Sequence, residues 1–108
     1  MKYVSKVIQR NVNSKYLFKQ IDEVMREAIS SFGVHWGNEE QRNEFVEIME
    51  EYFDTLIEQG KIVQHKCICD YRNNKTFSSK AKEFVLEVHY KQPHCLNTTT
   101  LEYYIPNV

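Results

Sequence analysis

Side chains able to ligate a soft metal or act as nucleophiles cluster in one short stretch, IVQHKCICD (62–70), as His65, Cys67 and Cys69. Alternate spacing places all three on one face of a strand. Zinc takes four ligands converging on one point, whereas three positions along a straight strand do not converge. His94 and Cys95 are the reserve ligands, and the chain has no C-x-x-C knuckle. Three cysteines cannot all pair internally, which suits a reducing compartment. Buried, unreactive thiols are therefore the expectation, with no metal. A Cys/His nucleophile pair and a His89–Asp70 couple are formally available, but neither sits in a motif. With 3 Gly in 108 residues there is no glycine-rich loop to form an oxyanion hole or a phosphate nest. The expectation is no enzyme, no catalytic residue and no cofactor.

The second concentration of chemistry is acidic. Residues 38–60 carry eight carboxylates and one basic group, while the flanking segments 1–37 and 61–108 each have a net charge of +3. The whole chain comes to -1. A charge distribution of this kind describes surfaces and partners rather than fold. One reading of the carboxylates is a solvated helix face. The sharper one is a docking surface for a basic patch, with Glu47, Glu51, Asp54 and Glu58 as its contacts. Arg72, Lys75, Lys80, Lys82 and Lys91 near a sheet would suit nucleic acid, with seven Tyr available for stacking. The acidic helix would repel a phosphate backbone, so nucleic acid is not the expected partner.

These residues need elements to hold them. In residues 14–32, Leu17, Ile21, Val24, Met25, Ala28 and Phe32 recur at helical spacing behind a Ser14 cap, and Gly33 ends the run. Trp36 is expected to plug the junction to a second helix. That helix is capped by Asn38, with Gln41 at capping-box spacing, and carries Phe45, Ile48, Met49, Tyr52, Phe53, Leu56 and Ile57 until Gly60. From Lys61 the period becomes two. Strands are expected at 62–70 (Val63, His65, Cys67 and Cys69 inward), 83–91 and 98–105, with 71–82 a long exposed loop. Pro93 stops the middle strand. The N-terminal residues 1–12 fit either one helical turn or an edge strand, which would join its own sheet in preference to a neighbour's; 13–108 form a single domain. The predicted fold is a two-layer α+β sandwich, two amphipathic helices on a small, mainly antiparallel sheet of three or four strands. No run of 18 apolar residues spans a membrane. MKYVSKVIQRNV also lacks the apolar stretch of a signal peptide, so a cytoplasmic setting is expected.

Five segments together resemble the C-terminal domain of contractile phage tail sheath proteins. They are NVNSKYLFKQIDEVMREAI (11–29), FVEIMEEYFDTLIEQGKI (45–62), KCICDYRNN (66–74), FVLEVHYKQP (84–93) and LEYYI (101–105). The QG turn followed by CD and an Asn-rich loop is the most informative part. Where that family has a further basic residue in its opening segment, this chain has Asn13 and Ser14. The resemblance implies a non-enzymatic structural or assembly protein of phage type, found in the host cytoplasm or the virion. Its partners would be other copies or other tail components. It also implies an arm, with Tyr3, Val4 and Val7, that adds a strand to a neighbour's sheet or accepts one. Tyr103, Tyr104 and Ile105 would lie in the shared sheet. The rival expectation is a small phage-encoded regulatory protein whose acidic helix docks on a basic host protein.

Overall fold

Strict alternation in residues 83–91 supplies the frame on which the rest is hung. Phe84, Leu86, Val88 and Tyr90 are buried, while Val85, Glu87, His89 and Lys91 between them are only partly covered. The computed structural model describes residues 3–107. In chain order these form β1 (Lys6–Arg10), α1 (Lys15–Ser31), α2 (Glu39–Glu58), β2 (Gln64–Ile68), β3 (Glu83–Lys91) and β4 (Thr99–Pro106). The strands make one antiparallel sheet in the order β1-β4-β3-β2. Both helices pack on one face of it. The fold class is the α+β arrangement expected, with four strands.

Register explains the core. β3 and β4 set Phe84 opposite Ile105, Leu86 opposite Tyr103 and Val88 opposite Leu101, so paired residues share the inner face. β1 adds Val7 opposite Tyr103, and β2 adds His65 and Cys67 opposite Tyr90 and Val88. Against this face lie Leu17, Ile21, Met25, Ala28 and Ile29 of α1, and Phe45, Met49, Phe53 and Leu56 of α2. Each large apolar side chain removed from water here contributes about 1.5–3 kcal/mol. The outer face of the sheet carries no helix. On it Arg10 pairs with Glu102 at 2.9 Å, and Lys6 lies over the Tyr104 ring at 4.4 Å.

The caps act as the spacing requires. Ser14 accepts from the Leu17 N–H and Asn38 from the Gln41 N–H. The Gln41 side chain does not close a capping box; it reaches back to the His35 N–H at 2.8 Å and fixes the turn between the helices. Gly33 and Gly60 take positive φ after the two helices, a region other side chains resist. Trp36 is buried edge-on against Phe45, as a plug at the helix junction should be.

The helix-or-strand alternative left open for the N-terminal segment is decided, and several other expectations are corrected. Residues 6–10 of the N-terminal segment are a strand, paired to β4 of the same chain, and Ser5 N–H donates to the Tyr104 carbonyl. Residues 1–2 and 108 lie outside the described residues. The first strand after α2 begins at Gln64 rather than Ile62. Residues 61–63 still belong to the turn, so strand parity does not apply, and Ile62 is 1% exposed while Val63 is 49% exposed. The loop 71–82 is not simply exposed, because Asn74 and Phe77 are buried within it. β3 outlasts β2 by several residues, and the amide of Asn74 stands in for the missing strand. It accepts from the Val85 N–H at 2.7 Å and donates to the Val85 carbonyl at 2.9 Å. Phe77 stacks on Phe84, and the Arg42 guanidinium lies over the Phe77 ring, 3.4 Å from its centre. Phe32, Ile48 and Ile57 were expected in the helix stripes facing the core, yet they are exposed at the stripe margins.

Candidate functional site

α2 turns two faces to two different tasks. Its inner positions fill the core. Along the outer face, Glu40, Glu44, Glu47, Glu51, Asp54 and Glu58 follow one another four, three, four, three and four residues apart, a spacing that stacks them in one row. All six are exposed. Like charges at these separations each cost a helix a few tenths of a kcal/mol. Glu39 and Glu40 in the first turn are favoured by the positive end of the helix, while Glu58 in the last turn is opposed by the negative end. Of the row, Asp54 has an ion-pair partner among the described residues, the His65 Nε2 at 2.6 Å. Glu40, Glu44, Glu47, Glu51 and Glu58 have none.

His65 ties that face to the sheet. Its ring stacks on Phe53 with centroids 5.7 Å apart. Glu50, on the inner flank of α2, places Oε2 2.5 Å from Nδ1, and its other oxygen accepts the Cys67 N–H. A carboxylate of α2 thus occupies a backbone donor on the outer rim of β2. Sequence reasoning grouped His65 with Cys67 and Cys69 as candidate ligands, and the structure puts carboxylates rather than thiols against the ring. Burial is the main reason that both thiols are hard to ionise. It drives Cys67 far above the usual range, assisted by Glu50, and it pushes Cys69 up to about 12 although nearby Arg42 acts the other way. His89 bonds Thr100 at 3.0 Å, whereas Asp70 is held by Arg72, so the His89–Asp70 couple does not form. Among the described residues no three His, Cys, Asp or Glu side chains are grouped to hold a metal.

The remaining expected contacts separate by burial. Glu47, Glu51, Asp54 and Glu58 are exposed together on α2. Tyr3 is exposed, while Val4 and Val7 are half-buried against the core. Tyr103 and Ile105 are corrected as partner contacts. Their side chains point inward at 0% and 3% exposure, and the Tyr103 hydroxyl donates to Asp22 Oδ1 at 2.9 Å. Tyr104 faces the open side of the sheet and donates to Glu102 at 3.3 Å. Arg72, Lys75, Lys80 and Lys82 sit exposed on the 70–82 loop and Lys91 on β3.

Sequence reasoning missed the corner where α1 meets α2. A groove of about 520 Å³ opens there, lined by Phe32, Val34, His35, Gln41, Glu44, Phe45 and Ile48, with Gly33 between. Phe45 forms its floor, and Phe32 packs edge-on against it with centroids 5.7 Å apart. The available signal was the weaker placing of Phe32 and Ile48 at the edges of their stripes. No helix among the described residues is long and apolar enough to cross a membrane. The chain matches no family model, no curated protein and no solved structure.

Proposed function

We propose that this chain is a non-enzymatic assembly protein that works through protein–protein contacts, with the carboxylate row of α2 as its principal docking face. The observation that carries this reading is the row itself, six exposed charges at mutually repulsive spacing, of which Asp54 alone has an ion-pair partner among the described residues. A basic partner relieves that repulsion and gains steering during encounter. In the setting implied by the sheath resemblance, the partner is another copy or another tail component, in the host cytoplasm or the virion.

A second reading has its own support. Residues 6–10 complete the sheet of their own chain, so the arm is not free for a neighbour unless β1 detaches. A self-contained globule with one acidic face suits a small regulatory protein that docks on a basic host protein.

The test is charge reversal without loss of fold. Glu47→Lys, Glu51→Lys and Glu58→Lys are combined, leaving Asp54 intact because it pairs with His65. Reduced co-assembly or partner retention at low salt, with an unchanged circular-dichroism spectrum, is the expected result. Unaltered association by light scattering and by pull-down with purified basic tail components removes the docking face.

A further inference from the structure

The carboxylate row does not end in open solvent at its N-terminal end. Glu44 lines the part-apolar groove at the α1–α2 corner, and it also lines an adjoining shallow trough with Gly37, Asn38, Glu39, Glu40, Asn43 and Glu47. Groove and acidic trough therefore share a wall. Ile48 is four residues from Glu44 and three from Glu51, so its exposed side chain is bracketed by carboxylates on the helix surface.

Two apolar side chains are open to solvent side by side here. Phe32 is 48% exposed and Ile48 37%, at the mouth of a groove whose floor, Phe45, is 1% exposed. An open aromatic beside a buried one is unfavourable to leave in water. The groove is also held in shape. Gln41 fixes the His35 backbone, Gly33 turns the chain out of α1 at φ 60, and Trp36 and Phe32 both brace Phe45. Pre-formed apolar concavities bordered by a few polar groups are the usual form of a recognition pocket.

We infer that this corner binds a cationic amphipathic segment of a partner protein. An apolar anchor would enter between Phe32 and Ile48, and Lys or Arg residues following it would lie over Glu39, Glu40, Glu44 and Glu47. The occupant is chosen by charge. An acidic or neutral anchor would meet four unneutralised carboxylates, whereas a basic one removes their mutual repulsion as it buries the aromatic. The mode is that of a helix laid in a groove, with anchors giving affinity and the charged rim giving choice of partner. This inference rests on the α2 docking reading and names the class of segment that face takes.

The probe is a fluorescent synthetic Leu/Lys amphipathic peptide, with a control in which every Leu is Ser. Expected results are anisotropy-detected binding that weakens as salt is raised, and amide shift changes centred on residues 32–48. Phe32→Ser and Ile48→Ser, both at exposed positions, are expected to weaken binding at least about tenfold. Equal binding of the Ser control, or unchanged binding by both Ser variants, overturns the groove. If the triple Lys reversal still abolishes binding in that case, the docking face survives without its pocket; if it does not, both readings fall. No binding at millimolar peptide overturns the inference, as does a dimer of the free protein that Ile48→Ser dissolves, since the occupant is then a second copy.

Discussion

Individual side chains carry more of this fold than their types suggest. Asn74 completes the β3 ladder where no strand is present, matching the Val85 N–H and carbonyl with one planar amide. Asn74→Ala leaves both backbone groups without that partner, and a loss of about 1–3 kcal/mol is expected from urea unfolding. The thiols give a chemical prediction. At pH 8 the native protein should take up one equivalent of a thiol reagent, at the half-buried Cys95, and three once unfolded. The same burial makes alkali destabilising. Unfolded, these cysteines ionise from about the ordinary 9.0, while folded Cys69 holds its proton to about 12. The folded state then binds more protons, so stability is intact below 9.0 and falls as pH rises towards 12. Cys67→Ser with Cys69→Ala should flatten that fall in pH-dependent denaturation. The pairing role of Asn74 was not legible in the sequence, where 71–82 read as a long exposed loop. A side-chain amide imitates a strand through tertiary position, and no local pattern encodes that.

Whole elements were legible to differing degrees, and the reasons are physical. α1 and α2 carry polar caps, positive-φ glycines and many turns of apolar spacing, so each signal reinforced the next. β3 alternates over nine residues with both faces distinct. β2 is shorter and is preceded by two adjacent apolar residues, Ile62 and Val63, which blurred its start by two residues and hid which of the pair turns inward. β1 holds five residues, KVIQR, and its pairing partner lies at the far end of the chain. Its helix-or-strand ambiguity is settled by β4 alone. The row on α2 was visible as composition and as a solvated face, but which of its members find an ion-pair partner was not. That row makes a prediction at its own scale. Glu47→Lys removes repulsion with Glu51 and Glu44 and replaces it with attraction. The variant is expected to be as stable as the native protein or more so, by a few tenths of a kcal/mol in thermal unfolding, even as docking weakens. A drop in stability would mean the carboxylate serves the fold rather than a partner.

The molecule as a whole presents an acidic helix side, a mixed-charge bare sheet face and two unequal sheet rims. Light scattering of the isolated protein across concentration and salt is expected to show any association weakening as ionic strength rises, because exposed charges are screened within about a Debye length. Association that strengthens with salt would point to the apolar corner or the sheet instead. The rims have a further consequence. Along the β2 side, Glu50 occupies the Cys67 N–H, and Asn73 and Asn74 fill the positions beyond the strand end. On the β1 side Lys6 and Arg10 edge a short strand whose outer backbone has no such cover among the described residues. A backbone-to-backbone neighbour thus finds a landing place on one flank and an obstructed one on the other. Zippered onto others through its sheet, each molecule offers one open flank, which suits it to finish a row of strands rather than to relay one.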